Sequence, residues 1–260
     1  MKKFLAISLT AAMVLSMVAC AKETEETTTE ATEETTTVEE TEATEAEETE
    51  AEETEAAELE VMSYDEYAAA ELNSEVMIQA YVMATQSWWD NKITAYLADN
   101  DGAYFCYEMA CSEEDAALLV PGAEIIVTGF KSEWSGEVEI IDATFEYVGQ
   151  TDVVFVATDV TDLLGTDELV DYQNQFVSFT EMEVVSVAFK NDEPGDDIYV
   201  TLSKDGEEYS FCLEFYLNGS DAEFYDLVSG LEAGQVVNVE GYLYWYEGAN
   251  THITSVTVVE

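Results

Sequence analysis

The sequence contains no arginine. Its seven cations are all lysines, set against 58 acidic residues, and the formal net charge is −51. Such a chain repels a phosphate backbone, because nucleic-acid affinity comes from Lys and Arg displacing counterions. No nucleic-acid partner is therefore expected, and an anionic membrane surface is excluded as a charge partner for the same reason. Without guanidinium groups, bidentate grips on carboxylate or phosphate cannot be built. A Ser-His-Asp or Cys-His centre would have to use the single histidine, His252. Proline occurs only at Pro121 and Pro194, so no stiff proline-rich spacer exists. The four cysteines, Cys20, Cys106, Cys111 and Cys212, form no Cys-x-x-Cys and no Cys/His cluster. That argues against a zinc site, and no metal or other cofactor is expected. One long apolar run exists, Phe4 to Val18, and it is too short for a comfortable transmembrane span.

That run has the layout of a secretion signal, residues 1–19. Lys2 and Lys3 supply the positive start, and the run ends in Ser16-Met17-Val18-Ala19-Cys20. The Ala19-Cys20 junction resembles the lipobox of bacterial lipoproteins, with Met17 where Leu is commoner. In that family the cysteine is acylated and becomes the new N-terminus. The resemblance implies lipidation at Cys20, by a palmitate-type chain, and anchoring on the extracellular face of the cell membrane.

Residues 20–60 read as a tether. From Ala21 onward it holds 18 glutamates and one lysine, with no glycine, proline or aromatic residue. Such a segment cannot bury enough apolar surface to offset its ordering entropy. Flexible-chain scaling gives it a reach of at least roughly 35 Å.

Residues 61–260 differ in kind. Aromatic and β-branched residues appear, yet 40 acidic residues still face only Lys92, Lys131, Lys190 and Lys204. The anionic character therefore belongs to the folded surface as well as to the tether. An internal repeat organises this region. Gly122, Gly129, Gly136 and Ile141 recur as Gly234, Gly241, Gly248 and Ile253, at a constant offset of 112. Tyr104-Phe105-Cys106-Tyr107-Glu108 recurs as Ser210-Phe211-Cys212-Leu213-Glu214 at an offset of 106. The chain thus divides into two copies, 61–150 and 151–260, the second beginning with a short connecting segment, 151–168.

Each copy reads as three strands, a short helix and a two-stranded hairpin. The helices are expected from Ser112 to about Val120 and from about Asp221 to Gly230, and the third strand of the second copy over Glu207–Leu217. This is the element order of an OB-fold, a five-stranded barrel. The expected class is all-β with short helices, as two tandem OB-fold-like barrels; two small sandwich-like domains are the alternative. With lipobox and acidic tether, the whole chain resembles tandem OB-fold surface lipoproteins of Gram-positive anaerobes. The resemblance implies location and fold, and transfers no catalytic motif.

Candidate site residues are mainly aromatic. Trp88 and Trp89 fall in the turn between the first two strands, Trp134 at the last hairpin of copy one, and Tyr244-Trp245-Tyr246 at that of copy two. OB-folds bind through these loops and through the face of strands two and three. Period-two alternation places Ile93, Ala95, Leu97, Phe105, Tyr107 and Met109 inside, and Tyr96, Tyr104, Cys106 and Glu108 outside. Tyr96, Tyr104 and Glu108, flanked by the tryptophans, are then a contact surface; packing of the same groups between the barrels is the competing assignment. His252 reads as a surface residue, Asp99-Asn100-Asp101-Gly102 as a hairpin turn, Asn191–Asp197 as a solvated acidic loop, and the three remaining cysteines as reduced thiols. The function expected is a non-catalytic, lipid-anchored binding protein for an oligosaccharide, a peptide or an envelope protein. The alternatives are a structural protein docking on a basic envelope partner, or a carboxylate- or metal-dependent hydrolase.

Overall fold

The computed structural model describes residues 59–259. The signal segment, Cys20 and the tether up to residue 58 lie outside the described residues. The described part belongs to one compact unit, Glu55–Glu260.

A capping box opens the first helix, α1 (Tyr64–Ala69). The Ser63 side chain accepts from Glu66 N, and the Glu66 carboxylate accepts from Ser63 N. The other end is closed from a distant strand. Lys131 Nζ donates to the carbonyls of Tyr67, Ala68 and Ala70 at 2.9, 2.8 and 3.0 Å. A cation at the C-terminal carbonyls carries the favourable sign.

The strands β1 (Glu75–Thr85), β2 (Lys92–Ala98), β3 (Ala103–Ala110), β4 (Ala123–Trp134) and β5 (Glu137–Gln150) close into a barrel in the order β1-β2-β3-β5-β4. The four-residue helix α2 (Glu113–Ala116) lies between β3 and β4. β3 and β5 run parallel, with Cys106 opposite Ile140, and the other pairs are antiparallel. Alternate residues fill the barrel: Val76, Ile78, Ala80 and Val82 from β1, Ile93, Ala95 and Leu97 from β2, Ile125 and Val127 from β4. This module is OB-fold-like.

The second half contains β6 (Thr158–Asp159), β7 (Phe176–Phe189), β8 (Ile198–Lys204), β9 (Glu207–Leu213), β10 (Val236–Tyr242) and β11 (Asn250–Val258). They form a six-stranded sheet in the order β10-β11-β9-β8-β7-β6, with a further pairing of β10 on β7. Two helices, α3 (Phe215–Asn218) and α4 (Ala222–Ser229), separate β9 from β10. β9 and β11 run parallel, with Cys212 opposite His252. Under the two repeat offsets this is the same pair as Cys106 and Ile140.

The glycines of the repeat have a physical reason. A Cβ on Gly129 would stand 2.7 Å from Ile140 and 2.8 Å from the Ile141 carbonyl; one on Gly241 would stand 2.3 Å from the His252 carbonyl. In both halves a strand crosses its hairpin partner too closely for any side chain.

Several expectations are corrected. The alternation in β3 breaks at Glu108, which has a left-handed φ of 46°. Met109 pairs with Ile93, but Cys106 pairs with Ala95, so β3 carries a bulge. Met109, Cys106 and Tyr104 therefore face the barrel core, and Tyr107 faces out. Phe105 points away from the core, into an apolar layer shared with the second half. Strand β9 stops at Leu213, because the Glu214 carboxylate accepts from Leu217 N at 2.6 Å and starts α3. Helix α2 is shorter than expected, and α4 is capped by Asp221. Cys106, Cys111 and Cys212 are buried and free, in agreement with the expectation of reduced thiols.

Candidate functional site

The turn joining β1 to β2 sets up the site. Asp90 and Asn91 both take left-handed φ, 47° and 61°, and Trp89 and Lys92 exchange both backbone hydrogen bonds across them. Two consecutive left-handed residues are the mark of a tight hairpin turn, and Asp and Asn tolerate that region best. The turn splits the tryptophan pair. Trp88 folds inward, donates Nε1–H to the Cys111 carbonyl at 2.9 Å and packs on the barrel core. Trp89 is left 76% exposed.

The β3 bulge supplies the opposite wall. Glu108 N donates to Thr94 Oγ1 at 3.1 Å, which holds the left-handed residue in place. Tyr107 is turned outward, 45% exposed, and the Glu108 carboxylate meets Lys92 Nζ at 2.6 Å. The hydrogen bond to Glu108 raises the Lys92 ammonium above its usual range. Both side chains are half exposed, so the pair adds little to stability.

The third wall comes from the second half. Tyr216, in α3, is 56% exposed, and its carbonyl accepts from Ser87 N at 2.7 Å and from Ser87 Oγ at 3.1 Å. Trp89, Tyr107 and Tyr216 thus surround a cleft of about 400 Å³ floored by the Lys92–Glu108 pair and by Thr94. Nothing in it is arranged as a nucleophile with a base. Its chemistry is that of aromatic faces beside polar groups, with Gln86, Ser87 and Thr94 joining Lys92 and Glu108 in the lining.

Of the candidate residues, only Trp89 and Glu108 meet in this cleft. The rest are placed elsewhere. Tyr104 is fully buried beneath α1, in edge contact with Tyr64 and Tyr67, and its hydroxyl donates to Asp99 at 2.6 Å. Tyr96 is fully buried between the two halves, stacked on Tyr242 at 4.5 Å. Neither is on a contact surface, and replacing either by serine would damage the core. His252 is buried too: it stacks on Tyr244 at 4.4 Å, and its Nδ1 shares a 2.8 Å hydrogen bond with the Tyr96 hydroxyl. Burial pushes its pKa down to about 3.

The two hairpin loops rich in aromatics meet each other. Trp134 packs on Tyr246 at 5.1 Å, the Trp245 ring lies over Gly136, and Glu247 N donates to the Ser135 carbonyl at 2.8 Å. Tyr244 contacts Phe105 edge-on at 5.4 Å. Trp134, Tyr244, Trp245 and Tyr246 therefore form part of a seam between the halves. Tyr107, Lys92 and Tyr216 were not legible as site residues. An unbroken alternation hides Tyr107 inside, and a long third strand hides α3.

No protein-family model matches the chain, and no curated protein matches it in sequence. Among solved structures it is similar to the p204 HINb domain, at 14% identity over 73% of this chain and 100% of that one, with a TM-score of 0.34. It is similar to a murine DNA-binding protein bound to double-stranded DNA, at 9% identity over 71% of this chain and 95% of that one, TM-score 0.36. The asparaginyl-tRNA synthetase of Entamoeba histolytica matches at 17% identity over 33% of this chain, TM-score 0.29, and this chain spans only 23% of the synthetase. At such scores these likenesses carry no argument.

Proposed function

We propose that the protein is a lipid-anchored, extracellular, non-catalytic binding protein whose ligand site is the Trp89–Tyr107–Tyr216 cleft. The observation that carries this reading is the set of three half- to mostly-exposed rings, from both halves, that line one cleft. Exposed rings that line a concavity and have a few fixed polar groups beside them are the usual make-up of a ligand pocket. The ligand class we favour is an uncharged oligosaccharide. Its apolar ring face suits the aromatic walls, and its adjacent hydroxyls find the Lys92 donor and Glu108 acceptor side by side. An acidic ligand meets the field of 40 carboxylates, and a cation finds Glu108 already paired.

Two further parts belong to the proposal. The second sheet is read as another OB-like barrel, because β7-β8-β9-β11-β10 are joined in sequence and β10 pairs back onto β7. The anchor is read as a lipid on Cys20, with the acidic tether holding the folded part away from the membrane. Nucleic acid is read as no partner, on charge alone.

The test is a glycan array probed with the full chain and with Trp89→Ala. Binding of a neutral oligosaccharide that is lost in the variant supports the reading; binding unaffected by Trp89→Ala sinks this site. Cys20→Ser tests the anchor: the protein should leave the membrane fraction, and full retention would refute lipidation. A gel shift with duplex DNA at low salt should show nothing, and tight binding would overturn the charge argument.

A further inference from the structure

The seam between the halves buries a carboxyl group completely. Glu137, at the start of β5, is 0% exposed. Its Oε2 accepts from Trp245 N at 2.8 Å, and its Oε1 has no partner. Hydrogen bonding from Trp245 N and from the Asn174 side chain favours the ionised form, and burial opposes it more strongly. A buried acceptor left unpaired costs about 1–3 kcal/mol.

A carboxylate in that place would hold its charge out of water against a backbone N–H and a neutral amide, with no cation beside it. We propose that Glu137 is held in the seam as a neutral carboxylic acid, and that its ionisation loosens the seam and, with it, the ligand cleft.

The surroundings agree. Burial pushes the Glu137 carboxyl up to about 8, and Glu139, two residues along β5, adds a like charge. Glu139 is itself raised by burial. The other titratable groups sensitive to Glu137 are the hydroxyls of Tyr67, Tyr96 and Tyr244. None of these groups is a cation that would hold the carboxylate. Three hydrogen bonds near Glu137 cross between the halves: Gln173 Nε2 to the Gly136 carbonyl at 2.8 Å, Val138 N to Gln173 Oε1 at 3.2 Å, and Glu247 N to the Ser135 carbonyl at 2.8 Å. The link to the cleft is Tyr216, which belongs to the second half and reaches the cleft only while the halves are docked. The regulatory part of the proposal rests on that cleft being the ligand site; the protonation part does not.

The sign is fixed by linkage. A carboxyl whose docked pKa is raised favours docking at low pH, and that advantage fades as pH rises from its ordinary 4.5 to about 8. Glu137→Gln keeps an oxygen that accepts from Trp245 N, and it cannot ionise.

The experiment uses the full chain and needs no ligand. Infrared difference spectra at about pH 6.5, wild type minus Glu137→Gln, should contain the carbonyl stretch of a protonated carboxyl. Amide exchange at Ser87 N–H, which is bonded to Tyr216, should lose about tenfold or more of its protection between about pH 6 and pH 9, after correction for base catalysis. In Glu137→Gln that protection should persist. A carboxylate spectrum at Glu137 overturns the protonation. Equal loss of protection in both proteins overturns the coupling to the cleft. A glycan array that finds no ligand would sink the cleft as binding site while leaving both of these readouts intact.

Discussion

The Tyr96 hydroxyl and His252 Nδ1 meet at 2.8 Å across the seam, joining β2 of the first half to β11 of the second. Both side chains are buried, so neither finds a substitute partner in water. Tyr96→Phe should cost about 1–3 kcal/mol, because it leaves a buried ring nitrogen unpaired. Denaturant unfolding measures this, and a change below about 0.5 kcal/mol would show that the bond contributes nothing.

Three seam or near-seam groups set an unusual pH profile. Burial lowers His252 from 6.5 to about 3, so its contribution is lost as pH falls through that window. Burial raises Glu137 to about 8 and Glu214 to about 7, both from 4.5, so the folded chain holds their protons more tightly than the unfolded chain. Their contribution is lost as pH rises from about 4.5 to 8. Two carboxyls outweigh one imidazole, and surface self-repulsion acts in the same direction. The melting temperature should peak near pH 5 and fall toward pH 8, less steeply in Glu137→Gln/Glu214→Gln. A maximum at pH 7 or above would contradict these assignments.

Adjacent tryptophans should behave oppositely. Trp88→Ala removes a core-packed ring and its hydrogen bond to Cys111, at a cost of about 3–5 kcal/mol. Trp89→Ala removes an exposed ring and should change stability by less than about 0.5 kcal/mol. Thermal melts of the two variants decide this directly.

Gly129→Ala and Gly241→Ala each force a methyl group into the neighbouring strand of the hairpin. Each should destabilise by about 1–3 kcal/mol or more, with both halves responding alike. Circular dichroism melts would expose an inequivalence if only one site mattered.

Much of this was readable in the chain. The 112-residue spacing of Gly129 and Gly241 marks two equivalent close crossings, and the OB-like strand order of the first half follows from its turns. The site was far less legible. One left-handed residue, Glu108, inverts the inside and outside of β3 and brings Tyr107 into the open. No periodicity announces a bulge held by a threonine hydroxyl fourteen residues away. The seam was equally hidden, because Tyr96, Tyr244 and His252 look like surface aromatics until the two halves meet over them. Trp134 packs on Tyr246, and Tyr244 packs on His252 and Phe105, contacts that no local pattern announces.

Lys131 should prove disproportionately important for so exposed a helix as α1. Lys131→Met keeps most of the apolar stem but strands three carbonyls. We expect a loss of about 2–3 kcal/mol and faster amide exchange over 64–69, with exchange in β8 unchanged. Uniform acceleration everywhere would mean that the lysine supports the whole fold instead.

The same lysine determines how a mechanical load would enter the molecule. A pull on the chain ahead of Leu59 reaches the barrel at two points: Met62, bonded through its N–H to the Met77 carbonyl at 2.8 Å, and the α1 carbonyls gripped by Lys131. Met62 bridges Ile78 of β1 in parallel, while Lys131 belongs to β4, so the tension divides over two neighbouring strands. The start of the fold is thereby built as a strain relief, and helix α1 would yield before any strand of the barrel does.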